Sequence, residues 1–264
     1  MRLGIVGASG RMGRAVVRSA HALGIEIACA IGATDVGRDA GELAGVGPIG
    51  TPVVDGLAAL EHARVDVVID FSIPDVTLAL APIAAAANSA IVSGTTGLGD
   101  EEHKALARAA DRVPVLWEPN MSVGVHVLSQ IVAQAIASLP DWDIEIVETH
   151  HRAKVDAPSG TALRLAEVAQ RTRAEALRID TTHLVHGRSG RPGARGTDEI
   201  GMHALRGGDV IGDHTVHLFG GAERIELTHR ATNRDVFAHG ALRAARWIAR
   251  KPAGTYSLRD VLGR

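Results

Sequence analysis

The sequence predicts an α/β protein: a doubly wound parallel sheet, then a second α+β domain on a mixed or antiparallel sheet. Three observations predict it. Short apolar runs alternate with helix-length stretches from Arg2 to Trp117, the rhythm of parallel strands joined by crossover helices. The first run opens into a glycine cluster, Gly7-Ala8-Ser9-Gly10-Arg11-Met12-Gly13. After Asn120 the rhythm gives way to longer alternating runs separated by glycine-rich turns.

Size and composition set the bounds. The chain has 264 residues, enough for one large domain or two moderate ones, with 46% hydrophobic and 22% charged residues. A formal net charge of −2 with dispersed Lys and Arg gives no nucleic-acid footprint, and 3% aromatics argues against a base-stacking platform. The single cysteine, Cys29, sits in the apolar run IEIACAI and is expected to be a core thiol in a reducing compartment. The chain begins on a strand-like run with no signal segment, and no apolar run is long enough to span a bilayer. A cytoplasmic protein is expected, with no membrane partner.

Taken in order, Arg2 to Val6 is a strand, the glycines turn, and AVVRSAHAL continues at helical spacing. The G-x-x-G-x-x-G spacing of Gly7, Gly10 and Gly13 is close to the dinucleotide fingerprint of Rossmann-type sheets. Glycines permit a tight turn and close backbone approach, and the helix start receives a pyrophosphate. Ile25 to Ile31 is the second strand. It ends on Gly32-Ala33, so Asp35 is the first acid that could meet an adenosine ribose. Val36 to Pro52 reads as a polar loop with one short helical turn.

Val65 to Asp70 is a buried strand, Asp75 to Ala87 an alanine-rich helix and Ala90 to Ser93 another buried strand. The last runs into Gly94-Thr95-Thr96-Gly97, small residues where open α/β sheets place ligands. A helix over Glu101–Asp111 and a strand over Val113–Trp117 lead to Glu118-Pro119-Asn120-Met121-Ser122. Beyond this, Val123 to Leu139 is a long apolar helix and Trp142 to Thr149 an alternating strand. The next helix is expected to bury Leu163, Ala166 and Ala169 and to expose Arg164, Glu167 and Arg171. The segment Gly187–Asp198, GRSGRPGARGTD, is either a mobile surface loop or a cationic lid over an anionic ligand. Ile200 to Ala231 reads as antiparallel strands, with a hairpin at Gly220-Gly221-Ala222. Asn233 to Arg250 returns to helix, with Phe237, Ala241, Ala244, Trp247 and Ile248 turned toward the first sheet.

The stretch with the most chemistry is Glu148–Ala162, ETHHRAKVDAPSGTA. Its Ser-Gly-Thr precedes a helical run, so the unpartnered N–H groups of a helix start form an anion cradle there. His150, His151 and Lys154 add proton donors and positive charge. The histidine spacings fit no zinc pattern, so no metal is expected.

These motifs, with Asn120-Met121-Ser122-Val123-Gly124, GxHxxRxGDxxGxH from Gly201 to His214 and RDVFAHGALRAARW, occur in this order along the whole chain. Together they closely resemble the 4-hydroxy-tetrahydrodipicolinate reductase (dihydrodipicolinate reductase) family of lysine and diaminopimelate biosynthesis. The resemblance implies reduction of a cyclic imine dicarboxylate by NADH or NADPH, with loss of water. It implies His150 and Lys154 as proton donors, and His151, Lys154, Ser159, Gly160 and Thr161 as substrate-carboxylate ligands. It places Gly7, Gly10, Arg11, Met12 and Gly13 at the cofactor pyrophosphate, Gly94, Thr95, Thr96, Asn120, Met121 and Ser122 near the nicotinamide, and Asp35 at the adenosine end. It further implies a dinucleotide-binding domain over 1–121 and 232–264, a substrate-binding and oligomerisation domain over 122–231, and a homotetramer. Gly32, Ala33 and Ile73 depart from the family pattern, which leaves NADH against NADPH open. A dehydrogenase acting on another amino or imino dicarboxylate, and a nucleotide sensor without turnover, are the alternatives. The proton-donor set argues against the sensor.

Overall fold

The computed structural model describes residues 1–179 and 182–263. The chain forms two compact units, Met1–Val123 with Arg234–Arg264, and Gly124–Asn233. In chain order the first unit contains β1 (Arg2–Val6), α1 (Arg11–Ala22), β2 (Glu26–Ile31), α2 (Ala40–Ala44), β3 (Val53–Val54), α3 (Ala59–Ala63) and β4 (Val67–Asp70). It continues with α4 (Pro74–Ala86), β5 (Ala90–Ser93), α5 (Asp100–Ala110) and β6 (Pro114–Trp117). The second unit holds α6 (Val123–Ser138, from Gly124 on), β7 (Asp143–His150), α7 (Gly160–Leu177), β8 (His183–His186), β9 (Glu199–Arg206), β10 (Gly212–Phe219) and β11 (Arg224–Ala231). The chain then returns to the first unit as α8 (Asp235–Ile248), β12 (Gly254–Tyr256) and α9 (Leu258–Val261).

The first unit is a seven-stranded parallel sheet in the order β12-β6-β5-β4-β1-β2-β3. Both faces are covered, which is why β4 and β5 read as unbroken apolar runs. Leu3, Ile5, Val67, Ile69 and Val92 pack with Val16, Ala20, Ala241, Ala245 and Ile248 of α1 and α8 on one side. Val6, Val68, Ile91 and Val115 pack with Leu80, Ala84, Leu106 and Ala109 of α4 and α5 on the other. Each such buried aliphatic side chain contributes roughly 1.5–3 kcal/mol. The order of connection reverses beside β1, the switch point where open α/β sheets take ligands. The register brings the strand ends level there: Val6 lies opposite Ile31 and Asp70, Asp70 opposite Ser93, and Ser93 opposite Trp117. The expected strands and helices of this half are present, and Cys29 is buried among them. The pairs β3/α3 and β12/α9 are additions that the sequence pattern does not announce.

The second unit is a five-stranded mixed sheet in the order β11-β10-β7-β9-β8. The antiparallel expectation for Ile200–Ala231 holds for β10 with β11 and with β7, but β9 runs parallel to both β7 and β8. The reason is the connection: parallel neighbours need a crossover of about a dozen residues, and Gly187–Asp198 supplies it between β8 and β9. Two of the three arginines of this crossover are held by the sheet itself. Arg188 makes a two-pronged pair with Glu145 at 3.0 and 2.8 Å, and Arg195 reaches Glu145 at 3.0 Å and Asp143 at 2.7 Å. His203 adds a contact to the same Glu145 at 2.7 Å.

Residues of β7 alternate, so Ile144, Ile146, Glu148 and His150 share the buried face on which α6 and α7 pack. The buried face of α7 is Ala162, Leu165, Ala166, Ala169 and Arg173, which corrects the expected one at its first position. Leu163 is 38% exposed. The helix begins one residue after Ser159, and that phase turns Ala162 inward and Leu163 out. Arg173 is buried because its guanidinium donates to the backbone oxygens of Thr197 and Glu199 at 2.6 and 3.3 Å.

Candidate active site

The cradle forms where β7 ends and α7 begins. Ser159 is the N-cap: its Oγ accepts the Ala162 N–H at 3.2 Å, which satisfies one of the orphan donors of the first turn. Gly160, the first helical residue, is exposed, and a Cβ built on it meets nothing within 4 Å. A flat or branched anion can therefore approach this helix start, where the helix dipole favours negative charge. Thr161, beside it, is partly exposed.

Glu148 joins this helix start to His150. The carboxylate is fully buried and takes donors on both oxygens. Oε2 lies 2.7 Å from His150 Nδ1 and accepts from Arg206 Nη1 at 2.7 Å. Oε1 accepts from Arg206 Nη2 at 2.8 Å and from the Ser159 N–H at 3.0 Å. Burial alone would raise the Glu148 carboxyl, but the bonds from Arg206, His150 and Ser159 outweigh it and hold the group below its ordinary range. Arg206 also donates to Asp156 O at 2.7 Å, tying the loop before α7 to the same cluster.

His214, from the neighbouring β10, meets Ser159 Oγ through Nε2 at 3.0 Å, and its ring stands edge-on to His150 at 5.2 Å. Burial, then the neighbouring His150, pushes His214 down to about 4, so it is a neutral ring at ordinary pH. Lys154 lies on the exposed loop beyond, its Nζ held by both oxygens of Asp156 at 2.7 and 2.8 Å. His151 is half-buried, and its N–H donates to Val210 O at 2.8 Å.

The other site belongs to the first unit. Gly7 takes φ +79°, and a Cβ there would press into Phe71 O at 2.4 Å. At Gly13 a Cβ would stand 2.1 Å from Gly7 O, so α1 touches the turn that feeds it. Gly10 caps α1 with no side-chain bond, which leaves its first N–H groups open beside exposed Arg11 and half-buried Met12. This is a cradle of the kind a pyrophosphate fits. Asp35 stands past β2, paired with Arg14 and Arg38 at 3.0 Å each.

Past β4 and β5 the organiser is Asp70. It is fully buried, and its carboxylate accepts from the hydroxyls of Thr77, Ser93 and Thr95 at 2.6, 2.9 and 3.0 Å, and from Ser72 through both N–H and hydroxyl. Thr95 thus turns its hydroxyl inward, whereas Thr96 is exposed. A Cβ on Gly94 would collide with the Phe71 ring at 2.2 Å. Asn120 Oδ1 accepts the Ser122 N–H at 2.9 Å, and Met121 is a core residue. Gly240 of α8 lets that loop pass: a Cβ there would lie 1.7 Å from Met121 O.

The structure gathers His150 and Ser159 into one network, with His151, Lys154, Gly160 and Thr161 on the flanking loop and helix start. Sequence reasoning missed the groups that do the gathering: Glu148, Arg206 and His214 in the second unit and Asp70 in the first. Their signal was present, since all three of the former fall inside the quoted motifs, but spacing alone does not say which strands pair.

Comparison with known proteins agrees in both halves. The family model described as dihydrodipicolinate reductase, N-terminus, matches residues 1–121, and that described as dihydrodipicolinate reductase, C-terminus, matches residues 124–262. The 4-hydroxy-tetrahydrodipicolinate reductase of Archaeoglobus fulgidus is 48% identical over 265 residues, covering 99% of this chain and 100% of that one. The enzyme of the same name from Anaeromyxobacter dehalogenans (strain 2CP-1) is 49% identical over 265 residues, covering 98% and 96%. Among solved structures, the dipicolinate-bound dihydrodipicolinate reductase from Paenisporosarcina sp. TG-14 shares the fold with a TM-score of 0.76 at 24% identity, over 97% of each chain. The chain belongs to the dihydrodipicolinate reductase family.

Proposed function

We propose that this protein reduces 4-hydroxy-tetrahydrodipicolinate to tetrahydrodipicolinate, with loss of water, using NADH or NADPH in lysine and diaminopimelate biosynthesis. The observation that carries the reading is the buried Glu148–His150 pair beside the open start of α7. It sits in a chain whose full-length relatives bear that enzyme name.

The glycine turn and bare helix start of α1 fit a dinucleotide, which supplies hydride when bound. The N–H groups at Gly10 to Gly13, with Arg11 and Met12, hold its pyrophosphate, Asp35 faces the adenosine ribose, and Gly94 to Thr96 with Asn120 to Ser122 shape the nicotinamide end. In the second unit the N–H groups of Gly160 and Thr161, with Ser159, take one substrate carboxylate, and His151 and Lys154 pair with the charge. For this Lys154 exchanges Asp156 for the substrate. His150 delivers a proton from Nε2 as negative charge develops on the reduced ring, with Lys154 as the second donor. Proton transfer of this kind contributes about 10²–10⁴-fold in rate.

The second unit also serves assembly into a homotetramer through its sheet. Phe219 and Ile225, apolar and over a third exposed on β10 and β11, are groups such an interface would cover. Neither nucleic acid nor membrane is a partner in this reading, and the protein acts in the cytoplasm.

The test is an assay on substrate freshly made by the preceding synthase, following oxidation of NADH and NADPH separately. Steady turnover with at least one is the expected result. Folded protein that oxidises neither would falsify the assignment.

A further inference from the structure

Glu148 is surrounded by donors only. Two Arg206 nitrogens, the Ser159 N–H and His150 Nδ1 converge on its two oxygens inside a fully buried site. An amide in its place would aim its own NH₂ at one or more of these donors. The site therefore demands the anion, and the anion demands a proton on His150 Nδ1. The other ring nitrogen, Nε2, has no hydrogen-bond partner among the described residues, and it lies beside Gly212, where a Cβ would stand 2.9 Å away.

We propose that Glu148 is a positioning residue that fixes His150 as the Nδ1–H tautomer and ties its ring to the N-cap of α7, so that proton donor and anion cradle are one rigid piece. The second strut of that piece is His214. Its Nε2 meets Ser159 Oγ at 3.0 Å, and that same Oγ caps α7 by accepting from the Ala162 N–H. His150 Nδ1 keeps its proton toward Glu148, so the ring acts as donor when it carries a second proton on Nε2, and it returns to the neutral Nδ1–H form once that proton has gone to substrate. The catalytic consequence rests on the reductase reading above; the tautomer does not.

The experiment uses the intact protein labelled with ¹⁵N-histidine. Long-range ¹H–¹⁵N correlation spectra are recorded at a pH where the His150 ring is neutral, and the ring signals are assigned by their loss in His150→Gln. A protonated Nδ1 and an unprotonated Nε2 are expected, and the opposite tautomer overturns the proposal whether or not Glu148→Gln folds. Glu148→Gln is then expected to lose the Nδ1–H signature and to lower kcat by about 10- to 100-fold with the KM for NADH or NADPH within about twofold of wild type. A folded Glu148→Gln protein that keeps both the tautomer and its kcat overturns it too, as does one that changes tautomer without loss of kcat. Wild-type protein with the expected tautomer but no turnover would instead count against the reductase assignment and leave the positioning intact.

Discussion

His150 and Lys154 stand on the same short stretch yet meet different partners, Glu148 inside and Asp156 outside. Both belong to the second unit, and the glycine turn belongs to the first. His150→Ala and Lys154→Ala should therefore each lower kcat by about 10²–10⁴-fold. NADH affinity, followed by fluorescence titration, should stay nearly constant in both. A large loss of NADH binding in either variant would mean the cradle has been assigned to the wrong ligand. Asp35, proposed above for the adenosine end, pairs through its one carboxylate with both Arg14 and Arg38. Replacing it with asparagine leaves two arginines without their anion, a setting that favours a 2′-phosphate over a ribose hydroxyl. Asp35→Asn should raise the NADPH-to-NADH ratio of kcat/KM, about tenfold for 1.4 kcal/mol of preference; an unchanged ratio would remove Asp35 from the site.

At the scale of elements, the crossover Gly187–Asp198 is fastened to β7 through Glu145. Burial would raise this carboxyl, but Arg188, His203 and Arg195 override it and bring it down to about 2. A depressed carboxylate contributes stability that is present above its unfolded value and is lost as the pH falls toward its folded one. The contribution, on the order of 3 kcal/mol from that depression, should fade between about pH 4.5 and pH 2. Glu145→Gln should thus be less stable than wild type at pH 7 in denaturant melts, and the gap should close at pH 2 to 3. Of the three arginines in this segment, Arg188 and Arg195 fold a parallel crossover onto its sheet. That outcome could not be read from composition, because the acids that hold them, Glu145 and Asp143, are separated from Arg195 by 50 and 52 positions. Strand pairing explains most other gaps. β4 and β5 are legible because burial on both faces writes an apolar run, whereas β3 and β12, at two and three residues, are too short to show any period. The cradle is legible in part for the same reason: His150, Lys154 and Ser159 are contiguous, while Glu148 meets Arg206 and Ser159 meets His214 across 58 and 55 positions.

For the molecule as a whole, the proposed reading gives the two units two separable tasks, and the family models divide at nearly the same place, matching residues 1–121 and 124–262. A planar dicarboxylate such as dipicolinate would probe the second of these proposed tasks. It should compete with substrate, and its binding should weaken at least about tenfold in Lys154→Ala, where a paired charge of roughly 1.5–3 kcal/mol is lost. Assembly is checked by analytical ultracentrifugation, where a species of four chain masses is expected. Asp70 has a bearing on the first task that reaches beyond its five hydrogen bonds. Segments leaving a sheet edge are ordinarily its loosest, and ordering them upon capture of a ligand makes association entropically unfavourable. Here one carboxylate ties Ser72, Thr77, Ser93 and Thr95 together as the chain folds, so a nucleotide meets loops that have little disorder left to surrender. Calorimetry of Asp70→Asn should show that difference as a more negative binding entropy, even where the enthalpy is unchanged.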